Sequence, residues 1–235
     1  MPKPNDTWFE TLPTGRCLAE FSMWSADLCN MAADLARIEA HADILHIDVA
    51  DGLFAPAFLF FPDLVAAMRK LTAKPIHVHL MVEDAVLLSQ IDQFAEAGAD
   101  LISLHAENAL AAEGVARIHS YGLHAGAVLR VESDLEIIAP LVDQLSMVTL
   151  LGTAIGVKGQ GLNPAAPQRI QDMRAIVAKA APTHRRIVAA DGGIRDTTVP
   201  TLVAHGAETV VLGSLGFGAP DLAARMAWLH GLKGV

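Results

Sequence analysis

Two histidines and two aspartates stand within or at the end of strand-like apolar runs: His46 and Asp48 in Leu45-His46-Ile47-Asp48-Val49, His79 in Ile76-His77-Val78-His79-Leu80, and Asp191 in Ile187-Val188-Ala189-Ala190-Asp191. Side chains alternate along a strand, so His46 shares a face with Asp48, His77 with His79, and Asp191 with Ile187 and Ala189. If those faces line one barrel, His46, Asp48, His79 and Asp191 converge at its mouth as a set for metal-assisted acid/base chemistry. Imidazole and carboxylate donors suit one divalent ion, with zinc, iron(II), manganese and cobalt all open by residue type. His77 faces the same way as His79 but one layer deeper, where both a hydrogen-bonded core histidine and a ligand remain open.

Glycines make up a second set. Asp191-Gly192-Gly193-Ile194 follows one apolar run and Gly213-Ser214 the next, while Gly159-Gln160-Gly161 follows the run before both. Loops of this kind bind phosphate through backbone N–H groups at a helix N-terminus, so the three together point to a phosphorylated substrate.

The elements that must position these groups are short β-rich runs alternating with Ala/Leu-rich segments of helical period, the pattern of a parallel sheet built from βα units. Eight runs are legible, at 17–24, 44–49, 76–82, 101–105, 125–129, 147–151, 186–190 and 209–212. Helices are expected near 27–40, 62–72, 84–97, 107–121, 133–142, 165–180, 197–205 and 219–231. Pro62-Asp63 and Pro164 mark two helix starts, and Gly98 and Gly206 sit just past two helix ends. Eight βα units fit an α/β fold of the single-domain (β/α)8 TIM-barrel type, spanning 1–235 with 1–16 as an N-terminal extension. In that architecture the chemistry sits at the C-terminal ends of the strands, where His46, Asp48, His79, His105 and Asp191 all fall.

Composition narrows the class. Of 235 residues, 52% are hydrophobic and 18% charged, which supplies a sizeable core and no disordered tail. A formal net charge of −9 with no Lys/Arg block argues against nucleic acid as a partner. Cys17 and Cys29 are too few for a disulfide framework and match no zinc-knuckle spacing, so a reducing, cytoplasmic setting is expected. No window approaches the roughly 20 apolar residues of a membrane span, and the first residues lack a signal-peptide pattern. The outer helices leave a homo-oligomer open. His41, His119, His124, His184, His205 and His230 read as loop or helix residues without a site role, and Trp8, Trp24 and Trp228 as packing groups.

With these residues in view, the chain resembles the ribulose-phosphate 3-epimerase family. The strings that carry the resemblance are Leu45-His46-Ile47-Asp48-Val49-Ala50-Asp51-Gly52, His77-Val78-His79-Leu80-Met81-Val82, Ala97-Gly98-Ala99-Asp100, Ala190-Asp191-Gly192-Gly193 and Leu212-Gly213-Ser214, within a similar stretch of about 20–217. The resemblance implies that His46, Asp48, His79 and Asp191 hold a divalent metal, often zinc in this family, and that Asp48 and Asp191 are catalytic and exchange protons. It also implies that Ser22 helps position the substrate and the catalytic carboxylate, and that Met81 caps the reactive centre. The implied reaction is 3-epimerisation of a ketose phosphate, most simply D-ribulose 5-phosphate to D-xylulose 5-phosphate. Inverting a carbon beside a carbonyl through an enediolate needs two acid/base groups on opposite faces, and two carboxylates meet that demand.

Departures from the family pattern put the substrate in question. Asp48-Val49-Ala50-Asp51 lacks the usual methionine, which predicts a wider pocket at Ala50. Phe54-Ala55-Pro56-Ala57 replaces the usual Phe-Val-Pro-Asn, and His77 stands where an aspartate is common. After the sixth strand Ala154-Ile155-Gly156-Val157-Lys158-Gly159-Gln160 replaces the usual Asn-Pro-Gly-Phe-Gly-Gly-Gln, and Leu151 replaces a methionine. Lys158 either binds the substrate or is a solvated loop lysine. The alternatives are epimerisation of allulose 6-phosphate or a tetrulose phosphate, a phosphate-barrel decarboxylase or aldolase, and a non-catalytic sugar-phosphate binder. A decarboxylase or aldolase would need a lysine at a strand position, and none is present.

Overall fold

Parallel strands buried on both faces read as continuous apolar runs, because helices cover one face and interior side chains fill the other. The computed structural model describes residues 2–181 and 183–232, so residues 1, 182 and 233–235 of the expected domain lie outside the described residues. Eight parallel strands close into a barrel in sequence order. They are β1 (Leu18–Ser22), β2 (Ile44–Ala50), β3 (Ile76–Met81), β4 (Leu101–His105), β5 (His124–Leu129), β6 (Met147–Leu151), β7 (Ile187–Asp191) and β8 (Thr209–Leu212). Around them run α1 (Trp8–Thr11), α2 (Met31–Ile38), α3 (Pro62–Arg69), α4 (Asp84–Ala97), α5 (Ala111–Ser120), α6 (Ala166–Lys179), α7 (Val199–Ala204), α8 (Ser214–Phe217) and α9 (Leu222–Gly231). This is the (β/α)8 TIM barrel. Among the described residues no helix is long and apolar enough to cross a membrane.

Two separate apolar clusters make up most of the described core. Outward-facing strand residues such as Phe21, Ile47 and Leu80 pack against helix residues such as Ile38, Leu87 and Phe94. Inward-facing Leu18, Ile44, Leu101, Met147 and Ile187 form a floor that Trp8, Phe9 and Leu12 of the N-terminal segment close from below. Each fully buried side chain of that plug contributes roughly 1.5–3 kcal/mol. Above the floor the interior turns polar: Glu20, His46, His77, Ser103 and Thr149 are all at most 1% exposed.

The register puts the chemistry in rows. Ser22 lies beside His46, His46 beside His77, and Asp48 beside His79, while Asp191 faces Leu151 at the end of the β6–β7 ladder.

Three expected helices differ. The segment 133–142 forms 3₁₀ turns rather than an α-helix, because the Asp134 carboxylate accepts the Glu136 N–H and Pro140 removes a helical donor. The second helix begins at Met31 instead of 27, since Asp27 accepts the Cys29 N–H in a turn. The segment 107–110 stays a turn, with Asp84 accepting the N–H groups of Ala109 and Leu110 and Asn108 donating to the Val82 carbonyl. The first strand also ends at Ser22, where Met23–Ser25 turns into a 3₁₀ helix. His124 opens β5 instead of sitting in a loop or helix, with Phe9 stacked on it at 4.6 Å.

Candidate active site

Four ligand-type side chains meet where the barrel interior opens at the C-terminal ends of the strands. One donor atom each from His46, Asp48, His79 and Asp191 lies within 4.8 Å of the other three. His46 Nε2 is 3.1 Å from Asp48 Oδ1, and His79 Nδ1 is 3.5 Å from the same oxygen and 3.9 Å from Asp191 Oδ2. Ser22 donates its hydroxyl to Asp48 Oδ2 at 2.7 Å and so fixes the rotation of that carboxylate. His79 Nδ1 is buried with no hydrogen-bond partner among the described residues. A stranded buried polar atom is costly, and a cation between it and the two carboxylates removes the cost. Two imidazoles and two carboxylates converging in this way fit a divalent metal.

The environments of the two aspartates differ. Burial pushes Asp191 up to about 6, with the neighbouring Asp48 charge adding to it against the pull of His46. Burial also works against Asp48, yet the charge and hydrogen bond of His46 and the nearby His79 hold it well below the usual carboxylate range. Carboxyl groups pushed apart like this take different roles as acid and base.

Above the cluster opens a cavity of about 310 Å³, within the size range of small-molecule sites. Ser22, Asp48, His79, Met81 and Asp191 line its base, and His46 stands one row behind. Lys158, Gly159, Gln160, Gly192, Gly193, Gly213 and Ser214 form its rim. Gly192 and Gly193 adopt left-handed φ values of 85° and 69°. A Cβ on Gly193 would meet Leu162 Cα at 2.7 Å, so the pair also lets the loop after β7 lie against the loop after β6. Lys158 is exposed, but its ammonium donates to the Trp24 carbonyl at 2.5 Å and rides 4.4 Å from the Trp24 ring centroid. It therefore bridges the loops after β6 and β1, which a freely solvated lysine does not do.

The model of the ribulose-phosphate 3 epimerase family matches residues 18–217, from β1 through α8. The chain belongs to this family. Ribulose-phosphate 3-epimerase 1 of Cupriavidus necator is 35% identical over 204 residues, covering 85% of this chain and 84% of its own length. Ribulose-phosphate 3-epimerase of Bacillus subtilis is 31% identical over 214 residues, covering 90% of this chain and 97% of its own. A solved structure of 3-hexulose-6-phosphate synthase superposes with a TM-score of 0.65 at 18% identity, covering 92% of this chain and 100% of that one, a likeness of fold.

This member of the ribulose-phosphate 3 epimerase family carries a buried polar layer that sequence reasoning missed. Glu20 Oε1 accepts from His46 Nδ1 at 2.7 Å and from His77 Nδ1 at 2.5 Å. His77 Nε2 in turn accepts from the Ser103 hydroxyl at 2.7 Å. Gly126 makes room for that hydroxyl, since a Cβ there would lie 2.1 Å from it. His77 is thus a satisfied core histidine, and Glu20 aims the Nε2 of His46 at Asp48. Burial would push Glu20 up, but the charges and hydrogen bonds of His77 and His46 outweigh it and hold the carboxyl at about 2. Burial lowers His77 against the opposing pull of Glu20. Burial opposes the charge on His46 too, but Asp48 and Glu20 raise it well above the ordinary value.

Other rim residues also depart from expectation. Trp24 lines the cavity instead of serving only as packing, and Arg195, two residues past the glycine pair, joins the rim as a second cation that spacing alone did not single out. Ala50 does not widen the pocket: it is buried in a small apolar cluster with Ala55 and Met81, against which Phe54 and Ile155 pack.

Proposed function

We propose that this family member is a metal-dependent ketose-phosphate 3-epimerase that interconverts D-ribulose 5-phosphate and D-xylulose 5-phosphate. The observation that carries the reading is the pair of unlike carboxyls, Asp48 from β2 and Asp191 from β7, at the base of one cavity beside a nitrogen that lacks a partner. The names of its relatives support the reaction, and the two histidine and two aspartate donors support a divalent ion, zinc being the one the family resemblance favours. His46, Asp48, His79 and Asp191 would hold a divalent ion, which would supply a Lewis acid for the negative charge that develops on the substrate oxygens.

The remaining work belongs to side chains. One aspartate removes the C3 proton and the other returns a proton to the opposite face, which inverts the centre. Ser22 holds Asp48 in register for that transfer, and Met81 covers the reacting carbons. Gly192, Gly193, Gly213 and Ser214 receive the phosphate, with Lys158 and Arg195 adding positive charge at the rim. Burial lowers the Lys158 pKa while Asp48 pulls it up.

The test is deuterium uptake at C3, followed by NMR in heavy water, with zinc-loaded protein and four-, five- and six-carbon ketose phosphates. Exchange with formation of xylulose 5-phosphate is the expected result. Preference for allulose 6-phosphate or a tetrulose phosphate would replace the substrate, and no exchange with any of them would overturn the reaction. Lys158→Ala is expected to raise KM for the phosphorylated substrate about tenfold with little change in kcat, the mark of lost ground-state binding. An unchanged KM would leave Lys158 with only its structural tie to Trp24.

A further inference from the structure

The hydrogen bonds behind His79 run in one direction, and the group that sets the direction is an obligate donor. Glu107, two residues past β4, accepts the backbone N–H of Arg130 through Oε1 at 2.8 Å, and the same oxygen accepts the Ser133 hydroxyl. A backbone amide only donates. Its other oxygen, Oε2, lies 3.0 Å from His105 Nδ1. Burial works against ionisation of Glu107, but the hydrogen bonds from His105, Ser133 and Arg130 prevail and hold it at about 2. A carboxylate only accepts, so His105 carries its proton on Nδ1 and turns the Nε2 lone pair toward His79 Nε2, 3.0 Å away. His79 then donates from Nε2, and in the neutral ring Nδ1 is bare. That nitrogen is the buried atom without a partner, facing oxygens of Asp48 at 3.5 Å and Asp191 at 3.9 Å.

We propose that His105 and Glu107 are positioning residues that fix the tautomer of His79 and reserve its Nδ1 for the metal. The inference rests on the metal reading of the site given above. Neither residue lines the substrate cavity, so their action passes through His79 alone. The Phe54 ring, 4.8 Å from the His105 ring, backs the relay, and the Arg130 guanidinium lies 4.1 Å from the Phe54 ring centroid.

The geometry makes Glu107→Gln a reversing substitution. The single acceptor of the amide must stay on the Arg130 N–H, which turns its NH2 toward His105 Nδ1. His105 then accepts there and donates from Nε2, His79 accepts at Nε2, and the His79 proton moves to Nδ1, onto the ligand position. Zinc affinity, measured by competition with a chromophoric chelator, is expected to fall about 10–100-fold, the usual effect of removing a partner of a metal-bound histidine. Long-range ¹H–¹⁵N correlation of the metal-free proteins, well above the ordinary imidazole pKa of about 6.5, should show Nε2–H for His79 in the unaltered protein and Nδ1–H in the variant. A His79 proton on Nδ1 in the unaltered protein overturns the inference without any variant having to fold. Zinc affinity unchanged in Glu107→Gln also overturns it. The epimerase reading fails differently: no exchange at C3 while zinc binds normally and the His79 tautomer is as stated.

Discussion

Asp191→Asn is expected to abolish measurable epimerisation, a loss of at least about 10²–10⁴-fold, and at the same time to raise the melting temperature of the metal-free protein at pH 7. The first effect follows from removing one of two proton carriers. The second follows from burial, which pushes Asp191 from 3.8 to about 6. An acid whose pKa is raised in the fold binds its proton more tightly folded than unfolded, so stability falls as pH rises from about 4 to about 6 and stays low above. Asparagine carries no such charge. Its gain is absent below about pH 4 and complete above about pH 6, on the order of 2 kcal/mol after allowance for the 18% exposure of the side chain. In a barrel of this size that is roughly 4–8 °C. Zinc should reverse the order, because a bound ion turns the buried carboxylate from a burden into a ligand. Turnover near that of the unaltered protein would remove Asp191 from the chemistry, and a lower melting temperature without metal at pH 7 would refute the burial argument.

Glu20→Leu should be the most damaging single change to the interior. Leucine fills the space but leaves the N–H groups of His46 and His77 without an acceptor in a layer with no exposure, and breaking a buried ionic pair from one side costs about 3–5 kcal/mol. Glu20→Gln separates charge from shape, since its one oxygen can still accept both bonds. The Glu20 pKa is depressed from 4.5 to about 2, so its contribution is complete above about pH 4.5 and is lost as pH falls toward 2. Urea midpoints between pH 6 and pH 3 should therefore fall less steeply in Glu20→Gln than in the unaltered protein. Parallel curves would mean that the Glu20 charge adds nothing to the fold.

The barrel was readable because its strands are buried on both faces and its helices on one, so β1 to β8 stand out as apolar runs between amphipathic segments. That His46, Asp48, His79 and Asp191 would meet was partly readable, because alternation in a strand places His46 with Asp48 on one face and the barrel brings strand ends together. What escaped was whatever depends on contact between distant strands. Glu20 looks like a stray charge in β1 until the closed barrel brings His77, 57 residues away, to its carboxylate. Glu107 looks like a loop residue until Arg130 and Ser133 fold over it. At 133–142 the helical period was real, but Asp134 and Pro140 settled the local backbone before packing could.

The plug of Trp8, Phe9 and Leu12 has a kinetic meaning. With the floor closed by these residues and the ring of Leu18, Ile44, Leu101, Met147 and Ile187, the cavity above Asp48, His79 and Asp191 opens next to the candidate ligand set. An ion held there, as proposed, would enter and leave through the space the proposed sugar-phosphate substrate would fill during turnover. On the metal-dependent reading, substrate at saturating concentration would then act as a stopper for the ion, and metal would be lost chiefly from the idle enzyme.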